Sequence, residues 1–151
     1  MKLAEALAER AALQRRIEEL KKRLGLCVRI QEGEAPAENP AELLAELDQV
    51  WARLRELVQA INRTNAEVEF DEDRRLSDAI VERELLGKQR DALSAIADTA
   101  STRQDRYSKS EVKFVPTVSV GDLRAQADAL SKKFRELDTK IQEWNWKIDL
   151  V

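Results

Sequence analysis

Apolar residues recur at alternating spacings of three and four along most of this chain, and no other feature constrains the fold as strongly. Leu3, Ala6, Leu13, Ile17, Leu20, Leu24 and Cys27, interrupted only by Arg10, share one side of a helix over about 2–31. Leu43, Leu47, Val50, Leu54, Leu57 and Ile61 repeat the pattern over about 40–65, with Leu44, Trp51 and Val58 alongside. Asn39 and Pro40 precede that run as an N-cap and a first-turn proline. Ser77 can cap a third helix over about 77–100, whose wide, small-residue face includes Ala79, Val81, Leu85, Leu86, Ala92, Leu93, Ile96 and Ala97. Ser119 and Asp122 stand at capping-box spacing before a fourth, over about 120–149, with the seam Leu123, Ala127, Leu130, Phe134, Leu137, Ile141, Trp144 and Ile148. With 36% charged residues and only 4 Gly and 3 Pro, little is left over for a sheet. The predicted fold is all-α: four long amphipathic helices in two antiparallel coiled-coil-like hairpins, within a single helical domain over 1–151.

Two segments break the helical period. Val68 and Phe70 alternate with Glu67, Glu69 and Asp71, and Val112, Phe114, Pro116 and Val118 alternate with Lys113 and Thr117. The expectation is a small β-arm of about 67–70 with 112–118, formed within or between subunits. The stretch from Ser101 to Ser119 is the longest irregular one, and loops of that length in compact domains are commonly functional or disordered.

Composition removes much ordinary enzymology. The chain has no His, hence no imidazole base, imidazole metal ligand or His-activated nucleophile. Its single Cys27 cannot form an intramolecular disulfide or a zinc site alone. A net charge of −3 with both signs interspersed gives no field for a nucleic-acid backbone. Glu5, Glu9 and Arg10 interrupt what would be a signal core, and no uncharged apolar run reaches the ~20 residues needed to span a bilayer. We expect a cytoplasmic protein with no membrane span, no nucleic-acid partner, no cofactor and no metal.

Two constellations are candidates for chemistry. Asp78, Glu82 and Gln89 fall within the apolar face of the third helix, and Arg10 within the seam of the first. Such residues either build a ligand site or form a polar network that fixes register at a wet interface, Arg10 snorkelling or pairing with an acid such as Glu82. Arg103, Asp105, Arg106, Tyr107, Lys109, Glu111 and Lys113 crowd one loop, where guanidinium forks and ammonium groups could hold a small anionic ligand. The competing reading is a salt-bridge network locking subunits together. Asn62 and Asn65, at the end of the second helix, read as C-terminal capping residues, and Trp144 and Trp146 as interface packing.

MKLAEALAERAALQRRI at the start, INRTN at Ile61–Asn65, RQDRYSKSEVKFV at Arg103–Val115 and LDTKIQEWNW near the end resemble, over nearly the whole chain, a small bacterial family labelled septicolysin. The resemblance implies a helical, ring-like assembly such as a hexamer, and the label implies a pore-forming cytolysin. The residues argue against a pore: the alternating segments are short and charged, and Cys27 is far from Trp144 and Trp146.

Helices of this length run roughly 35 to 45 Å at ~1.5 Å per residue, and several carry more apolar width than one neighbour covers. The reading is therefore a homo-oligomeric structural or interaction protein, leaning away from catalysis. The alternatives are an anion-binding protein or enzyme using the 103–114 loop, and the pore.

Overall fold

The computed structural model describes residues 1–102 and 112–151, and along them the chain is helical as expected. The helices are α1 (Leu3–Cys27), α2 (Pro40–Glu67), α3 (Leu76–Ala100) and α4 (Val120–Lys147). They distribute over two compact units, one of Met1–Glu69 with Glu143–Val151 and the other of Phe70–Gln142.

The first unit is built on the α1–α2 hairpin. Asn39 caps α2 as its identity suggests, its side-chain oxygen accepting the Ala41 N–H at 3.0 Å. The two helices are antiparallel, as the ion pairs Glu9 with Arg53 and Arg16 with Glu46 show, and Arg23 continues the ladder to Glu38 just ahead of α2, the numbers rising on α1 as those of the partners fall. Beneath this ladder Leu20, Leu24, Cys27 and Leu43 are buried together, with Leu47 and Val50 packed on them. Helix α1 stops at Cys27, short of the expected 31, because the seam has ended. The Val28 N–H closes the last turn on Leu24, and Gly33, at φ +89°, then turns the chain toward α2.

The other end of this unit is closed by polar contacts. Asn62 to Asn65 do not end α2; the helix continues to Glu67, where the Val68 N–H donates to the Thr64 carbonyl at 3.0 Å. Thr64 is fully buried, donating its hydroxyl to the Ala60 carbonyl at 2.9 Å and accepting the Val151 N–H at 3.0 Å. Lys2 and Asp149 form an antiparallel bridge in which Leu3 N–H donates to Ile148 and Leu150 N–H to Met1, both at 2.9 Å. Replacing Thr64 by Val keeps the shape but removes the acceptor of the Val151 N–H. Val151 is 61% exposed, so water takes over its amide and the cost is that of one hydrogen bond, about 0.5 to 1.5 kcal/mol; thermal unfolding should move down by a few degrees and the Val151 amide should exchange faster.

In the second unit the chain turns rather than extends. Phe70 and Asp71 both donate backbone N–H groups to the Arg74 carbonyl, and the Asp71 carboxylate accepts the Asp73 and Arg74 N–H groups and the Arg74 guanidinium. The buried Phe70 ring lies under Arg74 and Lys140, whose cationic centres are 5.4 and 5.1 Å from its centroid. The expected β-arm is thus corrected. Residue 67 closes α2, 70 opens this turn, and 112–118 contains no strand. Among the described residues, β-bridge positions are confined to Lys2 with Asp149 and to Glu69 and Arg75 on either side of this turn.

Helices α3 and α4 pack antiparallel, Arg83 bonding Asp138 at 2.7 Å and Asp98 meeting Arg124 at 3.1 Å. Between those pairs Gly87 is buried so closely under Phe134 that a β-carbon would lie 3.2 Å from the ring. Helix α3 starts at Leu76, one residue ahead of Ser77, because the Asp78 carboxylate accepts the Arg75 N–H at 3.0 Å. Helix α4 opens as its sequence indicates, Ser119 Oγ accepting the Asp122 N–H at 3.2 Å.

Candidate functional site

Helix α3 has two working sides. Ala79, Gly87 and Ala97 are buried, and two residues from Gly87 is about 200° round the helix, so Leu85 points the opposite way. Along that outer side run Asp78, Glu82, Leu85, Gln89, Ala92 and Ile96, spaced four, three, four, three, four, and all are exposed. Leu85 is 57% exposed, Val81 beside it 54% and Ile96 50%. The same geometry that gives a helix a core-facing seam recurs here facing outward.

The outer row continues into a second element. Ala95, Ile96, Thr99 and Ala100 form one wall of an open groove of 560 Å³, and Phe114, Val115, Pro116 and Val118 form the other. Phe114 is 78% exposed and Val115 72%. The period-two reading of this segment assumed one buried face, but two consecutive apolar residues are exposed here. At the N-terminal half of the row, Asp78, Val81, Glu82, Leu85, Leu86 and Gln89 bound a shallow hollow of 410 Å³.

The candidate residues sort accordingly. Asp78, Glu82 and Gln89 come together on this outer face of α3. Asp78 also caps the helix, and Glu82 pairs with Arg74. Arg10 is half-buried on α1 in the other unit. Arg103, Asp105, Arg106, Tyr107, Lys109 and Glu111 lie outside the described residues, while Lys113 is exposed beside Phe114. Among the described residues no group of three or more Cys, Asp and Glu is placed to hold a metal. Two buried polar residues, Thr64 and Asn145, escaped the sequence reading. A signal for each was present, since Thr64 lies three beyond Ile61 and Asn145 four beyond Ile141.

Ion pairs set the electrostatics. Hydrogen bonds from Arg53, Arg23, Arg74 and Lys2 hold Glu9, Glu38, Asp71 and Asp149, respectively, below the usual carboxylate range. A carboxylate whose folded pKa is depressed contributes stability that is present above its unfolded pKa and lost as pH falls through the folded one. Without His, nothing of that kind titrates near neutrality. The melting temperature should be flat between about pH 6 and 8 and fall only below about pH 4, a profile that calorimetry across buffers will check.

The fold places the chain in the helical-bundle class, with a third helix that is apolar on two sides. The chain belongs to a family of unknown function, DUF6847, whose model matches residues 10–150. It is similar to a functionally unknown conserved protein from Corynebacterium diphtheriae, known as a crystal structure. The two are 46% identical with a TM-score of 0.94, over 100% of this chain and 99% of that one. No curated protein matches it. Neither matching description carries the septicolysin designation. Among the described residues no helix is long and apolar enough to cross a membrane.

Proposed function

We propose that this protein is a non-catalytic, self-assembling cytoplasmic component whose activity is to form a homo-oligomer. One observation carries the reading: the outer row of α3 repeats a helix-packing pattern for which the described residues supply no partner helix. Single exposed apolar residues are ordinary on protein surfaces, but a row at seam spacing that runs on into Phe114 and Val115 is a contiguous patch of the kind that marks an interface. The polar members of the row suit this role, since Asp78, Glu82 and Gln89 at a wet interface select register without needing full burial.

Assembly makes thermal stability depend on concentration by mass action. The melting temperature should rise steadily with protein concentration and stay unchanged by phosphorylated or carboxylated metabolites. A concentration-independent melting temperature, or stabilisation by one such metabolite, would overturn the reading in favour of a monomeric binding protein.

A further inference from the structure

We infer that the outer face of α3 is covered by the same face of a second copy, running antiparallel, with Lys113 and Phe114 of each copy seated in the acid-flanked hollow at Asp78, Val81, Glu82 and Leu85 of the other. This rests on the self-assembly reading above and adds its orientation and contacts.

Charge selects the orientation. The row is acidic at its N-terminal half, with Asp78 and Glu82, and its C-terminal half is Ala92, Ile96 and Thr99 beside the exposed segment 112–118, a strap that bears Lys113. A parallel two-fold pairing would stack Asp78 on Asp78 and the Arg74-paired Glu82 on its counterpart, setting like groups against like along one seam and leaving Lys113 without an acidic partner. An antiparallel pairing places the acidic half of each copy against the strap-bearing half of the other.

Register follows from the spacing. Asp78, Glu82, Leu85, Gln89, Ala92 and Ile96 are symmetric about residue 87. A two-fold axis there sets Asp78 opposite Ile96, Glu82 opposite Ala92 and Leu85 opposite Gln89, the interlocking of alternate seam positions that antiparallel helices make. Ile96 shares its groove with Phe114, so the strap of one copy arrives over the Asp78 end of its partner. An exposed aromatic ring then meets Val81 and Leu85, and the adjacent ammonium meets Asp78 and Glu82. The small residues Ala92 and Ala95 allow the helices to approach closely. The contact is isologous, each half supplying both knob and hollow.

A zero-length carbodiimide cross-link tests the contact. Within one chain Glu82 and Ile96 are fourteen residues apart on α3, about 21 Å along the axis, and only a link between two copies can carry both isotopic labels. In a mixture of isotopically light and heavy protein, the expected product is a Glu82–Lys113 peptide of mixed label. In sedimentation, Glu82→Lys and Lys113→Glu should each weaken assembly by about 10-fold, and the double variant should recover most of the loss, since the reversal converts two attractive pairs per dimer into repulsive ones. Circular dichroism checks that each variant stays helical. If the wild type assembles but yields no mixed cross-link and its charge reversals do not compensate, the antiparallel contact is wrong while self-assembly stands. If the wild type does not assemble, both fail.

Discussion

Leu20→Ala should lower the melting temperature by roughly 6 to 12 °C, whereas Leu26→Ala, six residues along the same helix, should leave it nearly unchanged. Leu20 is 0% exposed in the cluster with Leu24, Cys27 and Leu43; Leu26 is 81% exposed. Truncating a fully buried leucine removes its transfer free energy and leaves a cavity, together about 3 kcal/mol. At roughly 2 to 4 °C per kcal/mol for a chain of this size, that gives the expected shift. Removing an exposed leucine changes little and places a better helix former on the surface. Differential scanning calorimetry of the two variants would show whether the buried side of α1 is the one that the period assigns. Equal shifts would mean that the hairpin packs differently.

Leu85→Glu should leave the helical signal intact and weaken self-association by at least about 100-fold. In the isolated chain the side chain is more than half exposed and Glu is as good a helix former as Leu, so monomer stability is expected to stay within about 0.5 kcal/mol. In the assembly each copy would bring a further carboxylate into the contact where Leu85 meets the other copy's Phe114, beside Asp78 and Glu82, which already share the one Lys113 ammonium. Two such charges cost about 3 kcal/mol or more, and each 1.4 kcal/mol is a factor of about ten in the dissociation constant. Sedimentation velocity with matched circular dichroism reads both halves of the prediction. Ala8→Glu, exposed on α1, serves as the control that adds charge away from the seam and should change nothing.

Much of the architecture is written in the spacing of apolar residues, because a 3.6-residue period sustained over six to eight positions has few competing explanations. That holds for the seams of α1, α2 and α4 and for the Asn39 and Ser119 caps, each of which makes the hydrogen bond its identity suggests. The β-arm shows where the method weakens. Alternation over Val68 to Phe70 is only three residues long, and the Asp71 and Arg74 side chains offer the backbone a turn whose hydrogen bonds win locally. The end of α2 went unread for a related reason. Asn62 to Asn65 looked like terminators, but Thr64 is placed by the chain's last residue, and a contact between positions 87 residues apart leaves no local trace.

The candidate site was half legible. Asp78, Glu82 and Gln89 stood out as polar residues in an apolar pattern, which located the anomaly on α3. What the pattern could not separate was one wide face from two opposed ones. The small residues Ala79, Gly87 and Ala97 pack inward, the row at Leu85 faces outward, and a summed count of apolar positions merges them. Only the placement of Gly87 against Phe134 divides the helix into its two sides.

The most direct measurement is the solution mass of the unmodified protein by sedimentation equilibrium, from about 1 to 100 µM. For a chain of 17.3 kDa, the account predicts a mass at least twice that of one chain, falling on dilution. A single species at the monomer mass across the whole range would contradict it.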